Sequence, residues 1–186
     1  MIKTKFAGIE IGADFTFFAI IAMFLTLDTT GFAMMSLAVC LIHEAGHLLI
    51  MLITGEKPES IMFRGGGIRI SSNSTSVPVL LAGSTVNIGI FFALYFTLPK
   101  TDIYPVMFAV LNLTIGVFNL LPIGCLDGKR LLEMFISEKI LKAIEAVMLV
   151  IVVVVIIVVI MHGGVNLTFA AAMVYILSVD YFLYRF

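Results

Sequence analysis

Residues 40–52 read CLIHEAGHLLIML, which sets two imidazoles and a carboxylate inside a run otherwise suited to hydrocarbon. A charged side chain at the centre of a membrane helix costs roughly 2.5–3.5 kcal/mol on the insertion scale, so some partner must offset it. Composition identifies the solvent. Of 186 residues, 61% are hydrophobic and 12% charged, and the mean hydropathy is +1.17. That leaves too little polar side chain to cover a water-soluble surface, and the chain reads as an integral membrane protein. The start, MIKTKFAGIE, lacks a short apolar core followed by a small-residue cleavage site, so the first apolar run is expected to stay in the bilayer. Cys40 and Cys125 lie in or beside apolar segments and imply no disulfide framework. A net charge of −1 excludes a strongly basic nucleic-acid surface.

Measured against about 20 residues per crossing, six apolar segments are candidate spans: 13–27, 32–53, 77–98, 104–123, 143–161 and 165–184. With the amino terminus in the cytoplasm, the inner segments hold Lys3, Lys5, Lys57, Arg64, Arg69, Lys129, Arg130, Lys139, Lys142 and Arg185, leaving Lys100 outside. That asymmetry places both termini in the cytoplasm. The expected fold is an all-α polytopic membrane protein of about six transmembrane helices with short interfacial β-strands. The strands are expected at 3–11 and 61–70, the second stretch folding as a hairpin around glycines 65–67. An edge there could add a strand from a peptide, though a solvated interfacial loop accounts for the same residues. Residues 129–142 read as an amphipathic surface helix joining two spans, and Glu145 as an interfacial anchor near Lys142. The whole of 1–186 is expected to be one domain.

On a helix, positions i and i+4 differ by about 40° in azimuth and about 6 Å in height, so His43 and His47 can reach one ion from one face. Glu44 stands one step round, near enough to touch a water at that ion. This is the H-E-x-x-H arrangement, in which the carboxylate is the general base of a zinc peptidase. On a soluble helix two surface histidines would be the ordinary reading. Inside lipid each imidazole needs a partner, and a divalent metal satisfies both without added protons.

A catalytic zinc keeps three protein ligands. His162 is excluded by depth, because it falls at the outer edge while His47 is about 9 Å from the inner end of its helix. Asp14, Asp127 and Asp180 sit near cytoplasmic ends. Asp127 differs in context, NLLPIGCLDG at 119–128, where Pro122 interrupts helical hydrogen bonding and glycines loosen the backbone. A helix-end carboxylate facing water explains that stretch equally well. Cys40, three residues before His43, could approach the metal, but a small core thiol is the commoner role.

HEAGH at 43–47 and NLLPIGCLDG at 119–128, with AGSTVN at 82–87 between them, resemble the site-2 protease family of intramembrane zinc metalloproteases, and most of all its minimal group with the stage IV sporulation protease. The resemblance implies that His43, His47 and Asp127 ligate zinc, that Glu44 is the base, and that Asn119, with Asn87 as a weaker match, binds the substrate backbone. It implies hydrolysis of a membrane-spanning or membrane-tethered substrate near the cytoplasmic face of a bacterial cell membrane. Such substrates include an anti-sigma factor, a pro-sigma factor or a remnant signal peptide, and a regulatory membrane partner is in keeping with them. Neither a PDZ nor a CBS domain is expected. Cys125 stands where the family often has proline, and Lys129 where it often has a second glycine. The rival readings are a metal-handling membrane protein and a catalytically idle homologue that binds membrane partners. No ladder of ligands crosses the outer halves of the spans, and zinc binding alone does not require Glu44.

Overall fold

The computed structural model describes residues 2–6, 8–28, 30–64, 67–72, 76–99, 101–124 and 126–161. The span expected at 165–184, His162 and Cys125 lie outside the described residues. The chain forms two compact units, Met1–Asn119 and Leu120–Phe186. The first unit contains β1 (Ile2–Phe6), β2 (Ile9–Ala13), α1 (Phe15–Leu27), α2 (Phe32–Thr54), β3 (Ser60–Arg64), β4 (Gly67–Ser71), α3 (Val77–Thr97) and α4 (Ile103–Asn119). The second contains α5 (Asp127–Glu133) and α6 (Glu138–Met161).

The strands form one sheet in the order β1-β2-β3-β4. The segment 3–11 is itself part of a hairpin, because Gly8 adopts φ 85° and turns β1 back on β2. A left-handed turn of that kind is open to glycine and strained for most other residues. The two hairpins join through parallel pairing of β2 with β3. On β1 and β2, Lys3 bonds Glu10 and holds that carboxyl below the usual range.

In α2 the buried residues are Val39, His43, Gly46, His47 and Met51. They recur at helical spacing, so the histidines share the face that packs on α3. Opposite that face Leu49, Leu52 and Ile53 are exposed. α2 and α3 are long and apolar enough to cross a membrane. Phe15–Thr26 and Ile103–Asn119 are apolar but shorter. At 1.5 Å per residue they reach about 18 and about 26 Å, short of a hydrocarbon core of about 30 Å. α2 and α3 are thus candidate spans, where the sequence suggested about six.

The sheet docks on the same end of α2 as the histidines: Ile70 of β4 shares a core with Met51 and Val79, with Leu48 and Ile61 packed against it. Asp28 closes α1 and accepts hydrogen bonds from the Thr30 and Ala33 backbone N–H groups and the Thr30 hydroxyl. Those donors hold its carboxyl below its ordinary pKa.

Two boundaries differ from expectation. α4 ends at Asn119 rather than 123, since Pro122 lacks an N–H and disfavours helical geometry in the residue before it. Residues 129–142 are not one helix. α5 stops at Glu133, with tight bonds from Met134 N–H to the Leu131 carbonyl and from Phe135 N–H to the Leu132 carbonyl. Ser137 then precedes α6, a position where serine favours a helix start.

Candidate metal centre

His43 and His47 are both buried, and their Nε2 atoms stand 3.0 Å apart with the rings edge to face. Zinc–nitrogen bonds of about 2.0–2.1 Å at a tetrahedral angle separate two ligand nitrogens by about 3.3 Å. The pair is within a few tenths of an ångström of that spacing. His47 Nδ1 lies 2.7 Å from the Val79 carbonyl oxygen. A carbonyl only accepts, so the proton belongs on Nδ1 and the lone pair of neutral His47 sits on Nε2. This is the tautomer a metal requires.

Space beside the two nitrogens exists because α3 presents glycine there. A Cβ on Gly83 would fall 2.6 Å from His47 Nε2 and 2.7 Å from His43 Nε2. Gly46, inside the HEAGH stretch, allows the reverse approach: a Cβ there would meet the Ala82 carbonyl oxygen and Gly83 Cα at 3.1 Å. Small residues on both helices thus bring the α3 backbone against the imidazoles. The donors and the glycine cradle fit a small divalent cation.

The remaining site residues can be placed individually. Glu44 is half-buried and follows His43 on α2. Asn87 of α3 is fully buried, its Nδ2 3.5 Å from His43 Nδ1. Asn119, the last residue of α4, donates from Nδ2 to the Ile115 carbonyl at 2.9 Å. Cys40 is exposed. In the second unit, Asp127 is the first residue of α5, where a carboxylate is favoured by the helix dipole. Gly128 is pressed so closely on Leu120 that a Cβ would land on its carbonyl oxygen. Glu145 of α6 is not paired with Lys142, whose partner is Glu138. Its Oε1 instead accepts from the Gly124 backbone N–H at 2.9 Å and from Lys129 Nζ at 3.0 Å. The turn that precedes Asp127 is therefore anchored from α6. Among the described residues, His43 and His47 of the first unit and Asp127 of the second are each donors of a kind that a metal ion accepts.

Sequence reasoning passed over the part of Gly83 and the Val79 carbonyl, read Gly128 only as loosening the backbone, and read Glu145 as an interfacial anchor near Lys142 rather than as the fastening of the turn. The small-residue run AGS at 82–84 and the DG pair at 127–128 were the available signals for the two glycines. Nothing in the sequence marked a backbone carbonyl 32 residues from His47 as its partner.

The segment 100–162 holds α4, the anchored turn, Asp127 and α6. It matches the model of peptidase family M50. The whole chain is also similar in structure to the Site-2 Protease from Methanocaldococcus jannaschii, with a TM-score of 0.63 and 20% identity over 96% of this chain and 92% of that one. No curated protein matches the chain. The resemblance to M50 peptidases rests on a family model over 100–162, and that to the site-2 protease on the fold. HEAGH lies outside the residues matched to M50, so the paired imidazoles are an independent observation.

Proposed function

We propose that the protein is an intramembrane zinc endopeptidase that hydrolyses a peptide bond of a membrane-associated substrate near the cytoplasmic face, in regulated intramembrane proteolysis. One observation carries the reading: two buried imidazoles on a bilayer-length helix, their Nε2 atoms 3.0 Å apart, against a glycine that leaves room beside them. His43, His47 and Asp127 would hold the ion, two neutral nitrogens and one carboxylate being a ligand set that zinc accepts. When bound, the metal supplies Lewis-acid polarisation of a peptide carbonyl and acidifies water.

The protein side of the chemistry falls to Glu44, which takes a proton from the attacking water and returns it to the leaving amine. Asn119 would hold the substrate backbone, provided its amide leaves the Ile115 carbonyl it now binds. A substrate helix must unwind before its carbonyls can be attacked, and the sheet favours an extended strand. The Lys and Arg asymmetry supports cytoplasmic termini. Candidate substrates are an anti-sigma factor, a pro-sigma factor or a remnant signal peptide.

The test compares wild type with Glu44→Gln, each co-expressed with tethered candidate substrates and assayed for zinc after purification without chelator. The expected result is stoichiometric zinc in both proteins and cleavage in wild type alone. Unchanged cleavage by the variant would remove the role of Glu44. Zinc retained by Asp127→Asn at wild-type affinity would remove the third ligand, with Asp14→Asn as the control, since asparagine still caps α1. Zinc without cleavage of any substrate would favour the metal-handling or idle reading.

A further inference from the structure

We propose that Asn87 is a positioning residue for His43, its carboxamide oxygen accepting the Nδ1–H of that ring so that Nε2 keeps its lone pair for the metal. The proposal rests on the reading of His43 as a ligand.

Asn87 is 0% exposed, and its one hydrogen-bond contact among the described residues is His43. Its Oδ1 is buried with no hydrogen-bond partner. The two arms of the amide therefore differ, one contacting the imidazole and the other without a hydrogen-bond partner. With the nitrogen arm toward His43, the amide donates to an Nδ1 lone pair and the ring proton sits on Nε2, where it faces His47 Nε2. That tautomer suits the hydrogen-bonded imidazole pair and cannot ligate. A half-turn about the Cβ–Cγ bond brings the oxygen to Nδ1, which then carries the proton and releases Nε2. No hydrogen bond to Oδ1 opposes the turn. Which arm is nitrogen is an assignment made from neighbours, and a carboxamide is the side chain that can serve either tautomer.

The position is held from behind. Gly116 of α4 packs so that an added Cβ would meet Asn87 Cβ at 3.2 Å and the Ser84 carbonyl oxygen at 3.2 Å. α4 thus packs on Asn87 at its Cβ rather than at its amide. His47 has its Nδ1 partner in a carbonyl that can only accept, so of the two rings it is His43 whose tautomer depends on a side chain. A partner at the outer ring nitrogen orients a ligating histidine and raises its basicity, and removing such partners commonly lowers metal affinity 10–100-fold.

The experiment uses the full chain in detergent, with zinc affinity read by chelator competition and Co2+ absorption as a second readout. Asn87→Leu, close in size and without an acceptor, should bind zinc 10–100-fold more weakly and shift the Co2+ bands. Asn87→Asp, which keeps the acceptor and loses the donor, should bind at least as tightly as wild type. Leucine at wild-type affinity with an unchanged spectrum overturns the proposal. So does a tenfold loss in the aspartate variant, and that measurement decides the matter if the leucine variant fails to fold. Wild type that takes up no zinc overturns the metal reading itself and this proposal with it.

Discussion

The helical face that carries HEAGH and the turn that carries Asp127 present their donors by opposite means. On α2, regular periodicity puts His43 and His47 in line, and small residues let α3 close over them. Before α5 the backbone is already out of the helix by Pro122, turns through Gly124 at φ 57° and is fastened by Glu145 and by the contact of Gly128 with Leu120. A regular element delivers two ligands from local geometry alone, whereas an irregular one needs anchors remote in sequence. Substitutions at the turn should therefore act on backbone position, and those on the helical face on the space beside the rings.

Gly128→Ala should have the largest effect. Its Cβ meets backbone, which cannot rotate away, so a loss of about 3 kcal/mol is expected together with loss of bound zinc. Thermal unfolding and metal content of the detergent-solubilised variant measure both, and wild-type values would break the claim that the turn depends on this contact. Gly83→Ala sharpens the other side of the comparison. A cost of about 2 kcal/mol should fall mainly on zinc affinity with helix content retained, because the atoms displaced are imidazoles. If metal binding survives, the cradle is not filled by the ion.

Glu145 separates anchor from charge. Glu145→Leu removes both hydrogen bonds and should cost about 1 kcal/mol, reduced by the partial exposure of the pair. Glu145→Gln can still accept from the Gly124 N–H and should lie between leucine and wild type in chemical denaturation. Equal losses would show that the ion pair with Lys129 is the whole contribution. Smallest is the effect of pH on the loop after α1. Asp28 has a lowered folded-state pKa, so its stabilisation is present above the ordinary carboxylate value of about 3.9 and is lost as pH falls through the folded value. Amide protection at Ala33 should fall over that acidic window, with no change between pH 5 and 7.

Much of this was legible beforehand because helices are local. The apolar runs predicted α1, α2 and α3 to within two residues at each end, and the i, i+4 rule predicted the paired imidazoles. The hairpin at β1 and β2 was missed because Gly8 lies between two short strands that read as one. The break after α5 was missed because amphipathic spacing continues through 134–137 while the hydrogen bonds of Met134 and Phe135 tighten to the i→i−3 pattern.

Sequence alone determined the solvent, the apolar segments and the alignment of His43 with His47, since each depends on residues no more than a helix length apart. Tertiary structure decided the tautomer of His47 through Val79, the burial of Asn87 against His43, the space left by Gly83 and the fastening of the Asp127 turn by Glu145. Those contacts join residues 21 to 44 positions apart, and only the packing of one helix on another brings such partners within hydrogen-bond reach.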